Sequence, residues 1–162
     1  MSTTRILDVG IIGGGLITQV EHLPNLLDLP ALFNVVGVAD PSAKVRAHLG
    51  LRFGVASFAT AEELFHAKLD AVLIATPDAY HAELAIAAVE RGLHVFCEKP
   101  LAYAVEDIDK VAAARDRAGK VVQVGTMQRF DPAWRLLADK VEGLGERLRL
   151  ISVAVNDPDF WP

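Results

Sequence analysis

Short apolar runs alternate with longer segments of helical pattern along most of this chain, and this alternation narrows its possible folds more than any other feature. Apolar residues at helical spacing predict helices over Leu16–Leu27, Ser42–Leu49, Ala61–Ala67, Ala79–Arg91 and Val105–Ala118. The runs between them predict strands at Leu7–Ile12, Asn34–Asp40, Ala71–Ala75, His94–Cys97 and Val121–Val124. The strands are apolar without a break, as in parallel sheets that helices cover on both faces. The sequence therefore predicts an α/β fold with a doubly wound parallel sheet.

The C-terminal part of the chain follows a different pattern. Pro132–Val141 predicts a helix, Gly143 and Gly145 interrupt it, and Arg147–Val155 predicts a strand with two largely apolar faces. Such a strand needs cover on both faces and paired edges. We therefore expect residues 1–125 to form the α/β domain, and residues 126–162 to form a connecting helix and a strand that belongs to a further part of a longer polypeptide. Pairing with another copy of the chain is the alternative.

Composition excludes several classes of protein. The 162 residues are 52% hydrophobic and 23% charged, which excludes intrinsic disorder. The apolar runs are far shorter than the roughly 20 residues of a membrane-spanning helix. The net charge of −5 argues against a nucleic-acid partner. The single cysteine, Cys97, and the lack of a signal-peptide pattern predict a cytoplasmic protein, and we predict no metal site.

A glycine-rich turn directly follows the first predicted strand. Its sequence, Gly13-Gly14-Gly15-Leu16-Ile17-Thr18, approximates the dinucleotide-binding pattern G-x-G-x-x-G/A, with Thr18 in the sixth position. Gly13 permits a tight turn and Gly15 lets the backbone approach a diphosphate, which the N-terminus of the next helix would attract. The alternative is a turn that only reverses the chain. Its place after the first strand of an α/β fold favours nucleotide binding.

Asp40 ends the second predicted strand, 22 residues after Thr18. A carboxylate there accepts hydrogen bonds from the adenosine ribose and repels a 2′-phosphate, which favours NAD over NADP. The alternative is that Asp40 caps the helix beginning near Ser42. Lys44 and Arg46 would partly offset the repulsion of a phosphate.

Two further segments follow strands at the same expected edge of the sheet. Ala75-Thr76-Pro77-Asp78-Ala79-Tyr80-His81 follows the third predicted strand; alone, it could be an ordinary helix start with Asp78 as cap. Glu98-Lys99-Pro100 follows the fourth. A lysine can donate a hydrogen bond to a substrate oxygen and relay a proton. Pro100 would fix the turn that aims Lys99, and a cis bond is one way to do so. The alternative is a solvated Glu–Lys pair.

These segments, in this order, resemble the Gfo/Idh/MocA family (glucose-fructose oxidoreductase, inositol dehydrogenase, rhizopine catabolism) of nicotinamide-dependent oxidoreductases, which have an N-terminal Rossmann-type domain. The resemblance covers VGIIGGGLI, VVGVADPS, DAVLIATPDAYHAELAIAAVERGLHVFCEKPLA and VVQVGTMQRFDPAW. The stretch ending in Glu98-Lys99-Pro100 is its most specific part. Asp78 departs from the family pattern, which usually has Asn there.

The resemblance implies hydride transfer between NAD(P) and a hydroxyl or carbonyl carbon of a sugar, polyol or related molecule. It implies that Lys99 is the catalytic lysine and that a second, α+β domain supplies its acid–base partners and an oligomer interface. Residues 126–162 would then hold the connecting helix and the first strand of that domain, which is truncated here. NAD is the favoured cofactor, and the alternative function is a non-catalytic NAD(P)-binding sensor or assembly module. The cofactor-binding residues predicted by motif and resemblance together are Gly13, Gly15, Leu16, Ile17, Asp40, Thr76, Pro77, His81, Glu98, Lys99 and Arg129.

Overall fold

A computed structural model describes residues 5–147, 149, 150 and 152. The chain divides into two compact units, one ending at Gly125 and the other beginning at Thr126. The first unit contains the whole of the described sheet and is the part that positions the candidate site.

A six-stranded sheet forms the centre of the first unit. All its neighbouring strands are parallel, and their order is β3-β2-β1-β4-β5-β6. This is the Rossmann-type order, in which the chain leaves β1 toward one edge and returns to build the other. The predicted doubly wound parallel sheet is therefore confirmed. Its strands are β1 Leu7–Ile12, β2 Phe33–Ala39, β3 Ser57–Phe58, β4 Ala71–Ile74, β5 His94–Cys97 and β6 Val122–Val124.

Helices connect these strands. The segment after the glycine turn contains a π-helical turn, Thr18–His22, which continues directly into α1. A 3-10 turn, Asp78–Tyr80, precedes α4. The helices of the first unit are α1 Leu23–Leu27, α2 Ala43–Phe53, α3 Ala61–Phe65, α4 His81–Glu90 and α5 Val105–Ala118.

Buried apolar residues lie on both faces of the sheet. Ile12, Val72 and Ile74 belong to a core that includes residues of α4 and α5. Their strand neighbours Ile11 and Leu73 belong to a second core, which includes residues of α1 and α2. Because successive strand residues point to opposite faces, strands buried on both sides must be apolar throughout. This explains why the sequence shows continuous apolar runs.

The second unit begins with a 3-10 turn, Met127–Phe130, followed by helix α6 at Pro132–Leu144. The Asp131 carboxylate caps α6 by accepting hydrogen bonds from the backbone N–H groups of Ala133 and Trp134. Residues 145–147 form a further 3-10 turn. The predicted second domain remains a prediction.

Several sequence predictions differ from the structure. Predicted bounds are off by up to four residues, as for α2, which continues to Phe53. The short edge strand β3 was not predicted. The predicted strand Arg147–Val155 begins within a 3-10 turn, residues 149, 150 and 152 have no regular structure, and its other residues lie outside those described. No helix among the described residues is both long and apolar enough to cross a membrane.

Candidate cofactor-binding site

The glycine turn brings the end of β1 against the end of β4. Gly13 has a φ of +98°, a backbone conformation that favours glycine. A Cβ added to Gly13 would collide with the backbone carbonyl of Ala75 and would lie 2.9 Å from the Thr76 nitrogen. A Cβ on Gly15 would meet nothing within 4 Å. The turn therefore needs glycine at its first position for the fold, whereas its third position leaves an open approach to the backbone.

The helix after the turn is tied to it by side chains. The Thr18 hydroxyl donates a 2.7 Å hydrogen bond to the Gly13 carbonyl oxygen, and Thr18 is fully buried. The Gln19 amide donates a 2.7 Å bond to the Gly14 carbonyl oxygen. Threonine in the sixth position of the motif therefore closes the turn instead of disturbing it.

The Asp40 carboxylate joins the end of β2 to the same turn. Its Oδ2 accepts a 2.9 Å hydrogen bond from the Gly14 N–H, and its Oδ1 accepts a 2.8 Å bond from the Ser42 N–H. Ser42 is the N-cap of α2. The alternative of a role at this helix start is thus compatible with a site role, because each carboxylate oxygen can accept a second hydrogen bond.

A cleft of about 490 Å³ lies along this edge of the sheet. Thr76 contributes a hydroxyl oxygen that is buried and has no hydrogen-bond partner, the only such side-chain atom in the described part of the chain. Buried polar atoms are almost always paired, so an unpaired one requires an explanation. The predicted site residues that line the cleft are Gly13, Gly15, Leu16, Ile17, Asp40, Thr76 and Pro77.

His81 lies beneath this edge and not within the cleft lining. It is fully buried, with Nδ1 2.7 Å from the Pro100 carbonyl oxygen and Nε2 2.9 Å from the Thr76 carbonyl oxygen. Both ring nitrogens are thus engaged within the protein. His81 thus joins the Thr76 loop to the loop that carries Lys99, and direct binding of cofactor by His81 stays a prediction.

Glu98 and Lys99 follow the end of β5. Glu98 Oε1 lies 2.8 Å from His22 Nε2, and both side chains are largely buried. The Lys99 N–H donates a 3.2 Å hydrogen bond to the other oxygen of Glu98. The Lys99 side chain is exposed, and the Lys99–Pro100 peptide bond is cis. The lysine is therefore accessible to a ligand, next to a carboxylate whose position is fixed by neighbouring residues.

Comparison with known proteins identifies the family of this chain. Residues 7–126 match the family model GFO_IDH_MocA, described as an oxidoreductase family with an NAD-binding Rossmann fold. The chain belongs to this family. It is 37% identical over 150 residues to inositol 2-dehydrogenase 3 of Saccharopolyspora erythraea, an alignment that covers 91% of this chain and 44% of that protein. The chain thus spans less than half the length of the curated relatives it matches.

Solved structures of dehydrogenases and reductases share the fold of this oxidoreductase domain. The WlbA dehydrogenase from Bordetella pertussis, in complex with NADH and UDP-GlcNAcA, matches with a TM-score of 0.81 and 25% identity over 86% of this chain and 43% of that one. KijD10, a 3-ketoreductase from Actinomadura kijaniata in complex with NADP and TDP-benzene, matches with a TM-score of 0.79 and 27% identity, with the same coverage. Relatives of this domain therefore bind either nicotinamide cofactor.

Cys97 lies at the end of β5 of the oxidoreductase domain and is fully buried. Burial, together with the charges of Glu98 and Asp78, raises the pKa of its thiol from 9.0 to about 12. The thiol is therefore protonated at neutral pH and unsuited to nucleophilic chemistry. This supports the interpretation of Cys97 as a small apolar core residue.

Asp78 does not cap a helix, because its side chain makes no capping bond at the 3-10 turn. Its carboxylate instead accepts a 3.1 Å hydrogen bond from the Tyr103 hydroxyl. That bond raises the pKa of Tyr103, since ionisation of the phenol would lose it. Asp78 thus connects the Thr76 loop to the segment that follows Pro100.

Some residues that line the cleft were not predicted as site residues from the sequence. They are Pro41, which lies within the VVGVADPS stretch, and residues 59–61, which lie outside the quoted motifs. His22 was missed because it contacts Glu98 across 76 positions of sequence. Arg129 lies in the second unit, so its role remains a prediction. Within the described ranges, no three His, Cys, Asp or Glu residues are grouped to hold a metal ion.

Proposed function

We propose that this chain is the cofactor-binding half of a nicotinamide-dependent oxidoreductase that acts on the CH–OH group or carbonyl carbon of a sugar, polyol or related small molecule. The observation that carries the proposal is the cleft lined by the glycine turn, Asp40 and Thr76, whose hydroxyl is buried beside the cleft without a hydrogen-bond partner. The curated relative and solved structures named above are dehydrogenases or reductases, which favours an enzyme over a sensor or assembly module.

The residues of the cleft fit a dinucleotide. The open backbone at Gly15 and the start of the following helix suit a diphosphate, because helix N-termini offer N–H groups and positive potential. Asp40 retains a free acceptor position on each oxygen for ribose hydroxyls. A polar group of the ligand would also satisfy the Thr76 hydroxyl. The site thus offers groups of the chemistry that each part of the cofactor requires.

Lys99 is the residue that we assign to catalysis. The nicotinamide, when bound, supplies the chemistry of accepting or delivering a hydride. The exposed ammonium of Lys99 would donate a hydrogen bond to the substrate oxygen and help to move its proton. Glu98 accepts the Lys99 N–H and so restricts the backbone that carries this side chain. Arg129 is proposed as a further cofactor contact.

Titration of the chain with NADH and NADPH, followed by nicotinamide fluorescence, tests the proposal. We expect saturable binding of at least NADH, with tighter binding of NADH than of NADPH because Asp40 repels a 2′-phosphate. The absence of binding by both cofactors would overturn the proposed function.

Thr76 provides a matched pair of variants for the same assay. Thr76→Val removes the hydroxyl and nearly preserves the shape, so we expect NADH affinity to fall by about three- to tenfold. Thr76→Ser keeps a hydroxyl and should retain most of the affinity. Equal affinities in the two variants would show that the hydroxyl does not contact the cofactor.

A further inference from the structure

His22 is the last residue of the π-helical turn and extends from the glycine-turn helix to the end of β5. Its Nε2 lies 2.8 Å from Glu98 Oε1, and its ring makes an edge contact with Phe96 at a centroid distance of 5.9 Å. Only 16% of the His22 side chain and 18% of the Glu98 side chain are exposed. This is a largely buried contact between two elements of the site, and no sequence motif predicted it.

The surroundings of Glu98 leave its carboxylate little freedom. One oxygen faces His22 and the other accepts the Lys99 N–H. Gly125 borders the same carboxylate, since a Cβ there would lie 3.4 Å from Glu98 Oε1 and 3.1 Å from the Phe96 ring. Without His22, the oxygen that faces it would lose its side-chain partner, and the carboxylate could turn away from its present position.

The order of the strands indicates which part of a dinucleotide Glu98 would meet. Asp40 follows β2, Gly13 follows β1, Thr76 follows β4 and Glu98 follows β5, so these groups occur in spatial order along one edge. Neighbouring strands lie about 4.8 Å apart. With the adenosine ribose at Asp40 and the diphosphate at the glycine turn, the chain of the cofactor continues toward β4 and β5. Glu98 therefore lies toward the nicotinamide end.

We propose that His22 is a positioning residue, which holds the Glu98 carboxylate at the nicotinamide end of the cofactor site. This inference rests on the proposed function, because it requires a dinucleotide in the cleft. His22 acts through Glu98 and touches no reacting atom. His22 also joins the helical segment after the glycine turn to the loop that carries Lys99. The two ends of the proposed site are therefore held together by this contact.

Comparison of NADH with ADP isolates this role. ADP keeps the adenosine and the diphosphate but lacks the nicotinamide and its ribose, whose hydroxyls and carboxamide are the donors that a carboxylate there can accept. In His22→Leu we expect the Kd for NADH to rise by about five- to twentyfold, because Glu98 is no longer held in place for these donors. The Kd for ADP should change by less than about twofold. Glu98→Gln, which weakens the same contact, should change the ratio of the two Kd values in the same direction.

Two further variants complete the experiment. His22→Gln retains a side-chain N–H that can reach Glu98 and should restore part of the NADH affinity, whereas His48→Leu replaces an exposed histidine of α2 and should change neither Kd. An unchanged ratio of NADH to ADP affinity in both His22→Leu and Glu98→Gln would overturn the inference, including a case in which both ligands weaken equally. If His22→Leu does not fold, His22→Gln and Glu98→Gln carry the test, and an unchanged ratio in both would overturn it. Failure of the unaltered chain to bind NADH would instead overturn the proposed function itself, and the inference with it.

Discussion

Asp40 has a structural role, and the proposed function gives it a second one in cofactor selection. Its oxygens accept hydrogen bonds from the Gly14 and Ser42 N–H groups, and with a dinucleotide in the cleft its charge would repel a 2′-phosphate. We expect Asp40→Ser to reduce the discrimination against NADPH by about 1–3 kcal/mol, because the variant removes both a charge-assisted hydrogen bond and a repulsion. Fluorescence titration of both cofactors measures the change.

Asp40→Asn is the control for that variant. It removes the charge but keeps an oxygen for the Gly14 N–H, so it should relax discrimination with a smaller loss of folding stability than Asp40→Ser. Equal affinity of the unaltered chain for NADH and NADPH would contradict the assignment of Asp40 as the selective residue.

His81 contacts the backbone of two other segments, at positions 5 and 19 residues away in the sequence. His81→Leu would remove the ring whose nitrogens lie 2.7 and 2.9 Å from the carbonyl oxygens of Pro100 and Thr76, and with it at least one buried N–H donor. We expect the free energy of unfolding to fall by about 2–4 kcal/mol, as measured by urea denaturation. The exposed substitution His48→Leu should change it by no more than about 0.5 kcal/mol. Similar stability of the two variants would contradict the proposed contact.

Cys97 gives a prediction about pH. With the pKa of its thiol raised to about 12, the thiolate is a negligible fraction at pH 8 in the folded chain. We expect Cys97 to react at pH 8 with a disulfide reagent such as dithionitrobenzoate only when the chain unfolds, because the thiol is both buried and protonated in the folded chain. Rapid reaction of the native chain at pH 8, with folding verified by circular dichroism, would contradict this.

At the scale of elements, the π turn allows two residues of one helical segment to be buried on the same side. Thr18 and Leu23 are both fully buried, yet they are five residues apart, which a regular α-helix would place about 140° apart around its axis. The wider π turn brings them to the same side, and the Leu23 N–H bonds to the Thr18 carbonyl oxygen. The turn therefore supports the fold and determines where His22 points.

Deletion of Val20 tests this interpretation. Val20 is half exposed and lies inside the π turn, so its removal leaves Thr18 and Leu23 four residues apart in an ordinary α-helix. We expect the variant to fold with a free energy of unfolding within about 1 kcal/mol of the parent. Deletion of the exposed Ala113 from α5 should be far more costly, because it rotates the buried Val111 relative to Ala114. Equal losses in the two deletions, measured by urea denaturation, would contradict the prediction.

The elements also show how far the sequence could predict the fold. Long apolar strands and the helix Val105–Ala118 were predictable because their residues follow a clear period. The same period does not show which face of α5 is buried: Val105 and Ile108 are exposed, while Val111 and Ala114 are buried. The two-residue strand β3 and the π turn were not predictable, since neither creates a periodic pattern of its own.

Some features of the candidate site could likewise be predicted from the sequence, and others could not. The glycine turn and Asp40 follow strands in a familiar local pattern, so sequence alone predicted their place in the cleft. Contacts such as His22 with Glu98 and His81 with Pro100 join segments 76 and 19 residues apart. Such contacts depend on strand order, which the sequence implies only through the fold.

For the whole molecule, the first unit contains the entire described sheet and its two apolar cores. We therefore expect residues 1–125 alone to unfold cooperatively in urea, with a far-ultraviolet spectrum typical of an α/β domain. The same fragment should retain measurable NADH affinity, lowered by whatever Arg129 contributes. A non-cooperative transition would show that the second unit is needed for folding, and Arg129→Ala in the full chain gives the matched measure of its own contribution.

The close approach of Gly13 to the Ala75 backbone restricts which residues can occupy position 13, in related sequences as well as in this chain. No larger residue can replace that glycine without forcing the ends of β1 and β4 apart, and the spacing of those two strands is set by their hydrogen bonds. Descendants of this chain that acquire different ligands must therefore vary the accessible rim, at Leu16 or Ile17, where side chains already face solvent. We therefore expect sequence changes that alter ligand choice to occur at the rim of the cleft, while the glycine at position 13 is kept.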